Sequence, residues 1–265
     1  MRKHSAAIIV FLVLSAVWVP LATAQDEPVR DCVEIMASKK LFVAMVDKDY
    51  PPYILQGRDG QLTGLSVDMA KDIAKELGVS LEIVKTDSFN EIIDKVAAGQ
   101  ADIGLPLSTT LSRATKVKFT NIYRRLEIVL LLNRMKMAEA DLEAGMRHLD
   151  ELKKTTDAIG VIGRTSHEAG ALKHFPRAEV KTYDSIQAMI RAVEKGEILL
   201  AVGNSGMTSA FLKENPHLMV KLQPFTIEGR YDYVAMAVNL EADHLLSWLN
   251  TYLNVRGMSV NMMVK

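Results

Sequence analysis

The chain has 265 residues, of which 49% are hydrophobic and 24% are charged, and its 32 Lys and Arg residues balance its 32 Asp and Glu residues. This balance argues against a nucleic-acid-binding protein, which needs a cationic surplus to displace counterions from phosphates. It also argues against an acidic disordered chain, which combines excess charge with few apolar residues. The length allows one large domain or two smaller ones, each with an apolar core.

The amino terminus predicts a cleaved secretory signal peptide, residues 1–24. Arg2 and Lys3 precede an apolar stretch over residues 6–19, and Ala22-Thr23-Ala24 forms an A-x-A-like cleavage site. A signal peptide has an apolar stretch of about 7–15 residues, whereas a membrane span usually needs roughly 20, so an uncleaved anchor is the weaker alternative. Losing Arg2 and Lys3 lowers the 32 basic residues to 30 against 32 acidic ones. We therefore expect a slightly acidic mature protein that is soluble outside the cytoplasm.

Cysteine and histidine usage predicts no metal site and no cofactor. Cys32 is the only cysteine, so it cannot form an internal disulfide, and we interpret it as a small buried hydrophobic residue. The histidines show no H-x-x-x-H or Cys/His ligand spacing, and we expect most of them at the surface. Met258, Met262 and Met263 are interpreted as a flexible apolar tail rather than a soft-metal site.

The first half of the chain alternates short apolar strands with amphipathic helices. The run L-F-V-A-M-V over residues 41–46 predicts a buried strand, and a turn follows at Tyr50-Pro51-Pro52-Tyr53. The pattern then predicts a helix over 67–77 ended by Gly78, a strand over 81–84, a helix over 90–98 ended by Gly99, and a strand over 103–105. This alternation predicts a parallel α/β sheet that binds ligands at the carboxyl ends of its strands.

The second half begins with a polar stretch over residues 135–157 that we expect to be mostly helical. The pattern next predicts a strand, turn and helix opening at Ala158, a strand over 198–202, a helix near 209–213, an extended stretch over 231–238 and a helix over 242–255. Apolar and glycine positions of the first half recur here at a constant offset, as Phe89, Ile92, Ile93, Val96 and Gly99 against Ile186, Met189, Ile190, Val193 and Gly196. These matches indicate either a two-lobe pseudo-repeat or only the pattern that any helix–Gly–strand unit would show.

Several motifs in a fixed order carry a family resemblance over residues 38–257. They are Tyr50-Pro51-Pro52-Tyr53, Gly64-Leu65-Ser66-Val67-Asp68-Met69-Ala70, Gly99-Gln100-Ala101-Asp102-Ile103 and Ser108-Thr109-Thr110-Leu111-Ser112-Arg113, followed by Val117-Lys118-Phe119-Thr120. Each motif is degenerate, and it is their order and spacing together that are specific. The chain resembles the bacterial extracellular solute-binding proteins, family 3, the two-lobed receptors of ABC importers for polar amino acids.

The resemblance implies a type II periplasmic-binding-protein fold, with two parallel-rich α/β lobes joined by two hinge strands. Lobe 1 would comprise residues 25–130 and 232–265, and lobe 2 would comprise residues 131–231. The hinge strands are expected near residues 126–132 and 231–238. Ligand would bind in the cleft between the lobes.

The resemblance assigns the ligand's carboxylate to Arg113. A planar guanidinium can donate two parallel hydrogen bonds to a carboxylate, which a lysine cannot, although a solvated arginine at a helix start is the alternative. Ser108 and Thr110 would add donors to the same oxygens, or act only as turn and N-cap residues. Tyr50 and Phe89 match positions where the family places aromatic rings around the ligand, although Phe89 could instead fasten the following helix to the core.

In lobe 2, Thr165 and Ser166 follow a strand and open a helix whose N–H groups could receive an anion. Arg164 stands where the family often has glycine, and it either adds a cation near the cleft or points into solvent. Asn204 is the largest departure, because amino-acid binders usually carry an aspartate there that pairs with the ligand's ammonium. Without the charge of that aspartate, an α-ammonium group would bind roughly tenfold more weakly. The ligand is then an amino acid held differently, or a carboxylate without that ammonium.

The sequence thus predicts a monomeric periplasmic protein that captures a small carboxylate ligand, an amino acid or related compound, for an ABC transporter permease. No catalytic residue is predicted, because Gly203-Asn204-Ser205-Gly206 lacks the second glycine of G-x-S-x-G. One alternative is an enzyme similar to cyclohexadienyl dehydratases, which would need a general acid that the sequence does not offer at position 204. Another is a stand-alone sensory ligand-binding protein.

Overall fold

The computed structural model describes residues 29–139 and 149–260. The predicted signal peptide lies outside these ranges, as do Met262, Met263 and residues 140–148 of the predicted helical stretch. Of the helices in the described ranges, none combines the length and apolar character of a membrane span.

The elements alternate along the chain as the sequence pattern predicts. The α-helices are α1 (Cys32–Ser38), α2 (Leu65–Leu77), α3 (Phe89–Ala97), α4 (Arg134–Glu139), α5 (Leu149–Leu152), α6 (Ser166–His174), α7 (Ile186–Glu194), α8 (Ser205–Glu214) and α9 (Asp243–Val255). The strands are β1 (Lys40–Val46), β2 (Leu55–Gln56), β3 (Leu62–Thr63), β4 (Ser80–Thr86), β5 (Ile103–Ser108), β6 (Lys118–Phe119), β7 (Arg124–Asn133), β8 (Ala158–Ile162), β9 (Glu179–Tyr183), β10 (Leu200–Asn204) and β11 (Leu222–Val238). Short 3-10 helices lie at Arg113–Thr115 and Pro216–Val220.

One mixed sheet connects most of these strands, in the order β4-β1-β5-β11-β7-β10-β8-β9. At one end β1 pairs in parallel with β4 and β5, and at the other end β8 pairs in parallel with β9 and β10. The long antiparallel pair of β7 and β11 lies between these two parallel groups. This is the predicted architecture of two parallel-rich halves joined by two strands.

The observed strands differ from the predicted ones at two places. The strand predicted over 198–202 is observed two residues later, at Leu200–Asn204. Ile198 and Leu199 are buried apolar residues that precede the strand, so they extended the apolar run from which it was predicted. The extended stretch predicted over 231–238 is only the end of β11, which starts at Leu222. The earlier part alternates with exposed polar residues and contains a bulge between Thr226 and Tyr231, so it lacks the continuous apolar run that marks a buried strand.

The hydrophobic core forms separate clusters on either side of the β7–β11 pair. The largest unites α2, α3 and α9 with β1 and β5. Two further clusters cover opposite faces of the second parallel group, and successive residues of β7 alternate between them: Leu131 packs with α7 and α8, whereas Leu130 and Leu132 pack with α6. The lobe boundaries at residues 130 and 231 stay a prediction.

Helices α3 and α7 share their capping interactions as well as their apolar spacing. In each, a serine side chain at the N-cap accepts a hydrogen bond from a main-chain N–H three residues later, and an asparagine amide donates to carbonyls of the last turn. These residues are Ser88 and Asn239 for α3, and Ser185 and Asn133 for α7. Because each asparagine lies at the end of a hinge strand, or one residue beyond it, the matching contacts favour a two-lobe pseudo-repeat over chance similarity.

Asp31 fastens α1 to α9. Its carboxylate caps α1 through the N–H of Cys32 and also accepts hydrogen bonds from the N–H groups of His244 and Leu245 at the start of α9. Asp31, Cys32 and His244 bring possible metal-ligand atoms within 4.8 Å of one another. The carboxylate oxygens are already engaged by main-chain donors, so we assign this group a structural role. Cys32 is buried, as its interpretation as a small hydrophobic residue predicts.

Asp102 ties the amino-terminal segment to the sheet from a buried position. Its Oδ2 accepts hydrogen bonds from the N–H of Phe42 at 2.8 Å and from the guanidinium of Arg30 at 3.1 Å. Burial raises the pKa of Asp102 to about 6, although the Phe42 N–H and Arg30 oppose the rise. The ionised carboxylate is therefore less favourable in the folded protein than in the unfolded chain.

We expect Asp102→Asn to flatten the pH dependence of stability in the acidic range. Because the folded pKa of Asp102 lies above its unfolded value of about 3.9, its contribution is fully present below that value and is lost as the pH rises through about 6, an expected loss of about 2–3 kcal/mol. Urea unfolding of both proteins near pH 4 and above pH 7 measures this. An equal change in unfolding free energy for both proteins would contradict the assignment.

Candidate ligand-binding site

A small cavity lies where the hinge strands meet residues of both halves of the sheet. Its volume is about 20 Å³, which is room for about one water molecule. The lining residues are Tyr50, Tyr53, Phe89, Pro106, Ser108, Arg113, Leu126, Thr165, Ser166, His167, Asn204, Asp232 and Val234. Of the predicted site residues, all but Thr110 line this cavity.

Arg113 is buried in the wall of the cavity rather than solvated, with 8% of its surface exposed. Its guanidinium donates hydrogen bonds to the carbonyl oxygen of Ser108 at 3.0 Å and to Oδ1 of Asn90 at 3.2 Å. Burial lowers the pKa of Arg113, while Asp232 and Tyr50 oppose that effect, and an arginine stays charged even so. These two contacts fix the plane of the guanidinium, and its remaining N–H groups can serve a carboxylate.

Ser108 and Thr110 have different places in the structure. Ser108 ends β5 and lines the cavity, as predicted. The side chain of Thr110 accepts a hydrogen bond from the N–H of Arg113 at 3.1 Å. Thr110 therefore caps the turn that carries Arg113, and it also lines a larger cavity next to the first one.

The aromatic wall comprises Tyr50, Tyr53 and Phe89. The rings of Tyr50 and Phe89 meet edge to face with centroids 4.9 Å apart, and the rings of Tyr50 and Tyr53 stack at 6.0 Å. Burial raises the pKa of the Tyr50 hydroxyl, which therefore stays protonated. Phe89 begins α3, packs in the core and lines the cavity, and its contact with a ligand stays a prediction.

Thr165 and Ser166 close the cavity from the start of α6. The Thr165 hydroxyl donates to the carbonyl of Ile162 at 2.6 Å and accepts from the N–H of Glu168 at 3.4 Å, so it caps the helix. Arg164 is exposed and does not line the cavity. Of its two predicted positions, the structure shows the solvent-facing one.

Arg164 adopts left-handed backbone geometry, with φ of 58°. This geometry costs a residue with a Cβ roughly 1–2 kcal/mol. Glycine avoids that cost, but its greater conformational freedom in the unfolded chain cancels part of the gain. We expect Arg164→Gly to raise the unfolding free energy by about 0.5–1 kcal/mol and to leave ligand affinity unchanged. Thermal unfolding measures the change. Lys71→Gly, inside α2, is the matched control and should destabilise by about 1 kcal/mol; destabilisation by both substitutions would count against this account.

Asn204 is buried and uses both ends of its amide within the protein. Its Oδ1 accepts from the N–H of Met207 at 3.0 Å and caps α8, while its Nδ2 donates to Oδ2 of Asp232 at 2.9 Å. An aspartate at position 204 would place two carboxylates against each other. The structure thus supplies a physical reason for the asparagine.

Asp232 and His167 form a second buried pair in the cavity wall. Nε2 of His167 lies 3.4 Å from Oδ2 of Asp232, with both side chains 6% exposed. Burial by itself would raise the pKa of Asp232, but His167, Ser108 and Asn204 together hold that pKa below its usual value. Asp232 is therefore an ionised carboxylate in the same cavity as the Arg113 guanidinium.

Comparison with known proteins identifies the family of the chain. Residues 42–255 match the sequence pattern of the bacterial extracellular solute-binding proteins, family 3. The chain belongs to this family. The predictions of this family and of the type II periplasmic-binding-protein fold are both confirmed.

Relatives and solved structures of similar proteins cover most of the chain. It is 24% identical over 212 residues to the ABC transporter arginine-binding protein 1 of Escherichia coli K12, covering 78% of this chain and 82% of that protein. It is 26% identical over 186 residues to the arginine-binding extracellular protein ArtP of Bacillus subtilis, covering 69% and 68%. An ancestral amino-acid-binding protein described as a precursor of cyclohexadienyl dehydratase superposes with a TM-score of 0.72 at 26% identity, covering 85% of this chain and 92% of that one.

Among the residues of this family 3 protein that line the cavity, His167 and Asp232 were not predicted as site residues from the sequence. Most of the described histidines are exposed as expected, namely His174, His217 and His244, but His167 is buried. Asp232 supplies the acid that appears missing when only position 204 is considered. A signal for Asp232 exists in the alternation of β11, where it shares a face with buried Val234. An acid on the inner face of a predicted hinge strand could have been singled out.

Proposed function

We propose that this family 3 protein is a monomeric periplasmic receptor that captures a small α-amino acid, or a related carboxylate, for an ABC transporter permease. The observation that carries the proposal is a buried guanidinium and a buried carboxylate in one cavity, from Arg113 and Asp232. An α-amino acid offers the complementary pair of charges. Asp232 would take the ammonium that the family's usual aspartate takes at the position of Asn204.

Ligand entry requires the two halves of the molecule to separate. A cavity of about 20 Å³ is too small for an amino acid. Its walls come from β5 and the Arg113 turn on one side and from α6 and β10 on the other, and the central β7–β11 pair connects the two sides. Bending of these strands would open the cleft, and ligand would shift the equilibrium toward the closed form that a permease can recognise.

A thermal-shift screen of the purified protein tests the proposal, with amino acids, dicarboxylates and keto acids as ligands. A ligand at about 100 times its dissociation constant stabilises by about 2.7 kcal/mol, so even a modest binder is detected. We expect at least one amino acid to stabilise the protein and Arg113→Ala to remove that effect. Stabilisation by no carboxylate ligand, or equal stabilisation of Arg113→Ala, would refute the proposal.

The His167–Asp232 pair supports a second candidate, an enzyme similar to cyclohexadienyl dehydratase. A buried histidine against a carboxylate could exchange a proton with a ligand held by Arg113. The solved structure described as a precursor of that enzyme is a binding protein in the same description, so binding remains the first candidate. Turnover of prephenate that is lost in His167→Gln would reverse this order.

A further inference from the structure

A larger cavity adjoins the first one on the far side of Asp232. Its volume is about 300 Å³, within the range of small-molecule pockets. Ser108, Ser166, His167 and Asp232 line both cavities, so the second, which we term the side chamber, continues the site. It extends between α6 and the hinge strands.

Apolar side chains line part of the side chamber. They include Ile128 and Leu130 of β7, Val202 of β10, Ala171 of α6, and Phe175, which follows α6 directly. An aliphatic chain would bury its carbons favourably against these side chains. The chamber therefore suits a ligand with several methylene groups rather than a compact one.

A buried histidine nitrogen lies at the junction of the two cavities. Nε2 of His167 is 3.4 Å from Oδ2 of Asp232, but it makes no well-oriented hydrogen bond within the described part of the chain. Buried polar atoms are normally satisfied, so such a group at a cavity wall indicates a ligand or water partner. This observation points to the junction as part of a binding site, independently of the shape of the chamber.

Basic side chains border the far end of the chamber. Arg230 lies in the bulge of β11 beside Gly229, whose φ is 71°, and bulges next to binding sites redirect side chains. Lys153 and His174 also line the chamber. Burial and the charges of Arg230, Lys173 and Lys153 lower the pKa of His174.

Arg230 and Lys153 are the cations of the described lining, whereas His174, with its lowered pKa, offers an uncharged N–H donor. Lys153 forms an ion pair at 2.9 Å with Asp150, whose side chain is 83% exposed and does not line the chamber. Among the described lining residues, the only acid is Asp232, which also lines the first cavity. In this described lining, the two cations Lys153 and Arg230 thus stand against the single anion Asp232.

We infer that the ligand is an amino acid whose aliphatic side chain crosses the side chamber and ends in an anionic group held by Arg230, Lys153 and His174. This inference rests on the proposed function, because it places the α-carboxylate on Arg113 and the α-ammonium on Asp232. It distinguishes this chain from the two relatives named for arginine. A guanidinium or ammonium at the end of the ligand side chain would meet like charge.

Isothermal titration calorimetry with a matched ligand series tests this inference. L-2-aminoadipate, L-norleucine and L-lysine have similar aliphatic chains that end in a carboxylate, a methyl group and an ammonium. We expect L-2-aminoadipate to bind about tenfold more tightly than L-norleucine, and L-lysine to bind most weakly. Arg230→Gln should weaken L-2-aminoadipate about tenfold and leave L-norleucine unchanged. Lys173→Gln is the matched control, because Lys173 adjoins His174 in sequence but does not line the chamber.

The outcomes separate this inference from the proposed function. If the series binds and Arg113→Ala abolishes binding, but L-lysine is preferred or Arg230→Gln behaves like Lys173→Gln, only the side-chamber inference fails. If Arg113→Ala leaves L-2-aminoadipate binding unchanged, the proposed function fails as well. Circular dichroism melting of each variant establishes that it is folded.

Discussion

Replacing Arg113 with alanine is expected to weaken binding of every carboxylate ligand by about a hundredfold or more. Removing one partner of a buried, hydrogen-bonded charge pair costs about 2–5 kcal/mol, because the other charge is left without a partner. In this cavity the ligand carboxylate would be that remaining charge. Calorimetric titration with the best ligand from the screen measures the loss.

The controls for Arg113→Ala separate binding from folding. The substitution also removes hydrogen bonds to the Ser108 carbonyl and to Asn90, so some loss of stability is expected, and affinity must be measured where the variant is folded. Arg113→Lys keeps the charge but not the planar fork, and should bind with intermediate affinity. Arg177→Ala, at an exposed position, should bind normally. Unchanged affinity of folded Arg113→Ala would remove Arg113 from the site.

Asp232→Asn is expected to weaken α-amino acids by roughly 2–30-fold while leaving the matching α-keto acids almost unaffected. A hydrogen bond to a charged group contributes about 1.5–3 kcal/mol, against about 1 kcal/mol for a neutral one, and only the amino acid presents an ammonium. Titrating the variant with one amino acid and its keto analogue measures the difference. Equal losses for both ligands would show that Asp232 acts on the fold of the cleft rather than on the ammonium.

A charge exchange with position 204 gives a sharper form of this test. Asn204→Asp would by itself place a second carboxylate against Asp232, so we expect it to lower stability and affinity. The double variant Asn204→Asp, Asp232→Asn returns the acid to the family's usual position and keeps an N-cap residue on α8. It should recover much of the amino-acid affinity. Failure of the double variant to exceed both single variants would contradict the exchange of roles.

The local elements could be predicted because their signals lie within a few neighbouring residues. The apolar spacing of residues 67–77 and the following Gly78 predict a helix that the structure shows as Leu65–Leu77, with Gly78 in left-handed geometry at φ of 68°. Similarly, the strand and turn before Thr165 follow from a short apolar run and polar residues. Periodicity and backbone sterics act over one or two turns of chain, so they need no tertiary information.

The motif order also located most of the candidate site. Arg113 lies in the cavity although composition alone would leave it in solvent, because the S-T-T-L-S-R segment folds as a turn at the end of β5 with Thr110 as its cap. The long β11 was underestimated, because its first half carries alternating exposed residues and a bulge. The side chamber depends on that bulge, and no sequence pattern indicates its volume.

By itself, the sequence determined the family and the alternation of strands and helices, and it predicted Arg113 as the carboxylate anchor. Only the tertiary structure decided where the opposing charge lies. Asp232 is 28 residues from Asn204 along the chain, yet the two side chains are joined by a hydrogen bond of 2.9 Å. The strength of an electrostatic interaction depends on distance in space and on burial, and neither can be read from the order of neighbouring residues in the sequence. The acid that position 204 lacks lies instead on β11, which β7 separates from β10 in the sheet, and only folding brings it within reach of Asn204.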